Sequence, residues 1–126
     1  MPVEMRYDPE KRALYGVCIS PMTLEETRDT IAELLESDRF PPNIRTLWDM
    51  REFDFRDMDR NFQELLISLR RQHPERGAAR MALIVSDDYG FGTARMYETL
   101  SSDLPQELRV FRDYKEGEDW LLSEEP

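Results

Sequence analysis

The sequence predicts an α/β domain: a five-stranded, mostly parallel sheet with one antiparallel N-terminal strand, in the order β-β-α-β-α-β-α-β-α. Three observations carry that reading. After an N-terminal hairpin, short apolar runs alternate strictly with segments of helical periodicity, which calls for a parallel sheet covered by helices. Met81-Ala82-Leu83-Ile84-Val85 is a continuous apolar run of the kind found in interior parallel strands. The length of 126 residues is that of one domain, so 1–126 is read as a single unit.

Val3, Met5 and Tyr7 alternate with Glu4 and Arg6, the pattern of a half-buried strand. Asp8-Pro9-Glu10-Lys11 has the residues of a type I turn. Ala13 to Ile19 then reads as a strand buried on both faces. Thr23 and Glu26 form a capping box opening a helix at Pro21-Met22-Thr23, whose Leu24, Thr27, Ile31, Leu34 and Leu35 share one face. Pro41-Pro42-Asn43 ends that run, and Ile44 to Met50 alternates as a third strand. Asp57 or Asp59 starts the next helix. There Met58, Phe62, Leu65, Leu66 and Leu69 repeat at helical spacing, and Arg70 and Arg71 lie in the last turn, where they complement the macrodipole. Ser86-Asp87-Asp88 and two glycines precede a helix carrying Ala94, Tyr97 and Leu100. Leu108 to Phe111 is a short last strand, and Trp120-Leu121-Leu122 anchors a last helix.

Composition excludes several functions. With 27 acidic against 17 basic residues the net charge is −10, which repels a phosphate backbone and argues against nucleic-acid binding. No apolar block approaches a membrane span. The N-terminal MPVEMRYDPEKR has no apolar stretch of the secretory kind, so a cytoplasmic location is expected. One cysteine and one histidine are too few for an intrachain disulfide or a His/Cys metal centre. Asp49, Glu52, Asp54, Asp57 and Asp59 cluster, but Arg51, Arg56 and Arg60 interleave them, which favours ion pairs over a cation site. No metal or cofactor is expected.

Ligands of open α/β sheets gather at the C-terminal ends of strands. Asp49, Asp57, Tyr89, Gly92 and Arg95 fall there and are the candidate binding residues. In Asp88-Tyr89-Gly90-Phe91-Gly92 the glycines would let backbone N–H groups approach an anion. The dinucleotide fingerprint is incomplete, because Arg95 occupies its third glycine position, and there is no P-loop. Arg95 can pair with Asp49, Asp57 or Asp87, or hold an anionic group. Cys18 reads as a small buried hydrophobe, His73 as a helix-end residue, and Trp48, Trp120 and the methionines as core. No nucleophile–base pair assembles from these residues, so no catalysis is expected.

Three stretches, with the element order, carry a family resemblance: Leu47-Trp48-Asp49-Met50 with Phe53; Phe91-Gly92-Thr93-Ala94-Arg95-Met96-Tyr97-Glu98; and Val110-Phe111-Arg112-Asp113 followed by Trp120-Leu121. The chain resembles the SpoIIAA-like superfamily, which contains the STAS domains and, more remotely, the Sec14-like (CRAL-TRIO) lipid-binding domains. It is most similar to the small bacterial STAS/SEC14-type proteins of unknown function. The resemblance implies one compact domain and no known catalysis. Anti-sigma-factor antagonists of this superfamily carry a phosphorylated serine at the start of the helix after the third strand. The corresponding Phe55-Arg56-Asp57-Met58-Asp59 has none, and only Asp57 or Asp59 could imitate its charge.

Two roles follow as expectations. One is a non-catalytic, STAS-like protein-interaction or regulatory module, its partner being another protein or a second copy of the chain. The other is a carrier or sensor of a small apolar or lipid-like ligand, with Phe53, Phe55, Met58, Phe62, Tyr89, Phe91 and Met96 lining a pocket between the third- and fourth-strand loops. A closed apolar cavity favours the carrier, and a flat exposed apolar patch the interaction module.

Overall fold

The computed structural model of the chain describes residues 3–19, 23–36 and 41–123. Strands β1 (Val3–Asp8), β2 (Ala13–Ile19), β3 (Arg45–Glu52), β4 (Met81–Ile84) and β5 (Leu108–Phe111) form one sheet in sequence order. β1 is antiparallel to β2, and every later pairing is parallel. The helices are α1 (Leu24–Glu36), α2 (Arg60–Arg71), α3 (Asp88–Leu100) and α4 (Tyr114–Leu122), with single 3-10 turns at Phe55–Asp57 and Pro74–Arg76. This is the expected architecture. β3 is the middle strand, and β4 lies inside the sheet between β3 and β5, with Ala82 to Val85 buried. Ser20, Pro21 and Met22, which the sequence places at the β2–α1 turn, lie outside the described residues, as do Glu124 and Glu125.

Local chemistry sets the element ends. Asp8 Oδ1 accepts from the backbone N–H groups of Glu10 and Lys11 at 3.0 and 3.2 Å, folding the hairpin loop so that Asp8 faces Ala13. The capping box of α1 forms as expected. Thr23 N donates to Glu26 Oε1 at 3.1 Å, and Glu26 N donates to Thr23 Oγ1 at 3.0 Å. Asp59, not Asp57, caps α2, accepting from Phe62 N at 2.9 Å, while Asp57 ends the preceding 3-10 turn. Asp87 caps α3, so that helix begins before the glycines and contains them.

Side-chain alternation divides the sheet into two unlike faces. The strand order never reverses, so crossovers of one hand place α1, α2 and α3 together on one face. There Val3, Cys18, Met50, Leu83 and Leu108 meet Phe62 and Ile67 of α2 and Ala94 and Tyr97 of α3. The opposite face is covered by α4, where Leu121 packs on Ala13, Tyr15, Leu47, Ala82 and Ile84. Gly117 lets α4 approach the sheet this closely, since a Cβ there would strike Ile84 Cδ1.

A polar latch also holds α4. Tyr15 Oη donates to Glu118 Oε2 at 2.6 Å, and Lys11 Nζ donates to the same oxygen at 3.3 Å. The tyrosine hydrogen bond, aided by the lysine, holds the Glu118 carboxyl below its ordinary value of 4.5. A carboxyl harder to protonate in the folded state than in the unfolded chain stabilises the fold above that ordinary value, and the contribution is lost as pH falls below it. Tyr15→Phe is therefore expected to flatten the acid limb of a stability–pH curve measured by urea unfolding. An unchanged acid limb would show that the latch is not formed.

Candidate functional site

Between α1, α2 and the sheet lies a partly enclosed apolar cavity of 140 Å³. Its floor is the helix-bearing face of β2, β3 and β4: Leu14 and Cys18, then Thr46, Trp48 and Met50, then Met81 and Leu83. Its walls are the apolar stripes of the two helices. α1 supplies Thr27, Ile31, Leu34 and Leu35, and α2 supplies Phe62, Leu66 and Arg70. Phe53 and Met58 close one end, beside the C-terminal end of β3. α1 packs chiefly on α2, which leaves space between it and the strands. Gly16 makes room for the Trp48 side chain on that floor. It lies under the Trp48 ring, and a Cβ there would come within 2.6 Å of two ring carbons.

The other end lies at the N-terminal ends of β3 and β4 and is polar, bordered by Arg70, His73, Arg76, Arg80 and Gln106. A backbone staple shapes it. Asn43, at φ 60°, donates its N–H to Arg76 O at 2.7 Å, and its side-chain oxygen accepts from Ala78 N at 2.7 Å. Arg70 Nη1 donates to Tyr97 Oη at 2.8 Å and Nη2 to Gln106 Oε1 at 3.0 Å. Gln106 Nε2 in turn donates to Gly77 O at 2.6 Å. Burial pushes the Tyr97 phenol up, and the Arg70 charge opposes that shift.

Cys18 borders the cavity as an inert thiol. Burial first, and the Asp49 charge second, push it up to about 12. It is therefore protonated at neutral pH, and the thiolate is the reactive species. Ellman's reagent at pH 8 should leave Cys18 unmodified in the folded chain and titrate it once the chain is unfolded. Rapid labelling of the folded protein would contradict this burial. His73 borders the opposite end of the cavity, so no Cys/His pair forms.

The five candidate residues do not converge on this cavity. Asp49 faces the α4 side of the sheet, where Arg51 grips it through Nε and Nη2 at 2.9 and 2.8 Å and holds its carboxyl below the ordinary range. Asp57, Tyr89, Gly92 and Arg95 lie on the outer rim made by the Phe55–Asp57 turn and α3, and all four are exposed. Arg95 pairs with Glu98 at 3.2 Å, not with Asp49, Asp57 or Asp87. Arg95→Ala should accordingly change stability by no more than about 0.5 kcal/mol in denaturant titrations, the scale of an exposed helical pair. Gly90 is a packing glycine. Its N–H donates to Asp87 Oδ1 at 2.7 Å, and a Cβ would come within 2.9 Å of the Phe55 ring. The helix N-terminus is thus satisfied by its own cap.

The expected pocket is also corrected. Phe53, Met58 and Phe62 line the cavity, whereas Phe55 is buried against α3, and Phe91 stacks under Arg112 at 4.7 Å. Tyr89 and Met96 point outward at 60% and 55% exposure. Trp48, Met50, Met58 and Met81 belong to the core or pack against it, as read, and also line the cavity, while Arg70, read as a macrodipole residue, turns inward. Position 70 follows Leu66 by four and Phe62 by eight, so it falls on the apolar stripe of α2. That spacing was the available signal for Arg70. Among the described residues, no three or more His, Cys, Asp or Glu side chains are grouped to hold a metal ion. Nor is any described helix long and apolar enough to cross a membrane.

The layering of one crowded and one sparsely covered sheet face, with a leading antiparallel strand, defines a SpoIIAA-like α/β fold. A crystal structure of an uncharacterized protein from the DUF3478 family, with a SpoIIAA-like fold, from Shewanella loihica PV-4, superposes at a TM-score of 0.63. The match has 20% sequence identity and covers 94% of this chain and 91% of that one. At that identity the likeness establishes the fold. No family model matches the sequence, and no curated protein does.

Proposed function

We propose that the chain is a non-catalytic binding module, a cytoplasmic carrier or sensor, that takes a small apolar molecule into the cavity between α1, α2 and the sheet. The observation that carries this reading is the cavity itself. Protein interiors are close-packed, and a void of this size forfeits packing unless something fills it. Apolar cavities of roughly 150 Å³ stay dry and accept benzene-sized guests. Trp48, Met50, Phe62, Leu66 and Leu83 offer such a guest an adaptable apolar wall.

A protein-interaction module is the second reading, and the exposed Tyr89 and Met96 on α3 favour it. Two separate apolar side chains are ordinary for a surface, whereas a cavity is not. The test is native mass spectrometry of freshly purified protein, paired with mass analysis of its organic extract. Carrier function predicts a small molecule released on denaturation. An empty monomer that also fails to take up benzene-sized probes would overturn it, and co-purification of a protein alone would favour the interaction module.

A further inference from the structure

We infer that the ligand of this cavity is a small monocarboxylate, with an apolar body of about benzene size against Trp48, Phe62 and Leu66 and its carboxylate on Arg70. The inference rests on the cavity being a binding site and adds the class of molecule it takes.

The first support is charge. The chain carries 27 acidic residues in 126, yet no Asp or Glu is among the described residues lining the cavity, while Arg70, Arg76 and the one histidine border its polar end. Arg76 Nη2 is engaged by Pro41 O at 3.0 Å, and Arg80 Nη1 by Trp120 O and Ser123 Oγ at 2.7 and 2.6 Å. Arg80 thereby turns its guanidinium to the α4 face, with Nε 3.9 Å from Glu107 Oε1, and Arg70 is the guanidinium on the cavity side that meets a ligand.

The second support is the state of Arg70. It is half-buried, both of its hydrogen-bond partners are neutral, it makes no ion pair among the described residues, and its Nε is buried with no hydrogen-bond partner. Taking a cation out of water without a counter-charge is costly, and a bound carboxylate supplies that charge. Tyr97 and Gln106 already fix the guanidinium plane, so little side-chain entropy is lost when an anion docks. Two of its five N–H groups already donate within the protein, and those that remain are enough for one carboxylate. The volume of 140 Å³ matches an apolar body of about benzene size.

Phenylacetate and 2-phenylethanol share a ring and differ in the charged head, so they separate the two ideas. In calorimetric or NMR titrations wild-type protein is expected to bind phenylacetate at least about tenfold more tightly than 2-phenylethanol, the scale of one charge-assisted hydrogen bond. Arg70→Met should weaken phenylacetate by a similar factor and leave 2-phenylethanol within about twofold, and Arg70→Lys should restore part of the loss. Equal wild-type affinities, or phenylacetate binding untouched by Arg70→Met, would overturn the carboxylate assignment while leaving an apolar site. Failure of both probes to bind would remove the site itself. Should Arg70→Met not fold, the wild-type preference and Arg70→Lys decide the question.

Discussion

Leu66→Trp is expected to reduce binding of a benzene-sized probe by at least about tenfold while the chain stays folded and becomes no less stable. Leu66 is half-buried on α2 and borders the cavity, so a larger ring at that position occupies ligand volume without displacing a fully packed neighbour. Overpacking costs roughly 1–3 kcal/mol where a core is already full, and far less where empty space receives the added atoms. Loss of one ring-sized contact surface is worth more than 1.4 kcal/mol, the free-energy equivalent of a tenfold change. Calorimetry with 2-phenylethanol reads the binding, and thermal unfolding reads the stability. Unchanged affinity in a folded Leu66→Trp protein would place any binding elsewhere.

Leu47→Ala is expected to cost about 3–5 kcal/mol of unfolding free energy, the upper part of the range for buried leucines. Leu47 is fully buried on the middle strand and faces α4, packed among Tyr15, Ala82, Ile84 and Leu121. Strand neighbours held by ladders on both sides cannot collapse into the space left behind, so transfer and cavity costs both apply. The face it supports is covered by one nine-residue helix, too short to be stable without tertiary contacts. Urea unfolding of the purified variant measures this, and a loss below about 1 kcal/mol would mean that α4 does not dock as described.

The layout of strands and helices was legible because each element carries its own periodicity. The apolar run before Val85, the Thr23–Glu26 box and the alternation through β1 are local signals, and the structure uses each of them. The proposed cavity was less legible for a topological reason. Crevices at the C-terminal strand ends open where strand order reverses. This sheet runs β1-β2-β3-β4-β5 without a reversal, so no switch point exists at Asp49, Asp57 and the start of α3. Even the helix N-terminus there is closed by the Asp87 cap. The cavity depends instead on how far α1 stands from the sheet, a tertiary distance with no signature in a stripe of Ile31, Leu34 and Leu35. A cavity-facing Trp48 and a core Trp48 share the same alternation in β3. Arg70 was visible as a charge on the apolar stripe of α2, but its partners Tyr97 and Gln106 are 27 and 36 residues away. Only the fold brings them together.

Methionine methyl groups offer the most direct test that this cavity takes up a small apolar molecule. Met50, Met58 and Met81 line it, whereas Met96 sits on the outer face of α3. In protein labelled at methionine methyls, titration with 2-phenylethanol should shift the resonances of Met50, Met58 and Met81 along one saturable curve and leave Met96 in place. Binding in the cavity predicts that concerted pattern. Silence at the three cavity methyls, or a response led by Met96, would contradict it.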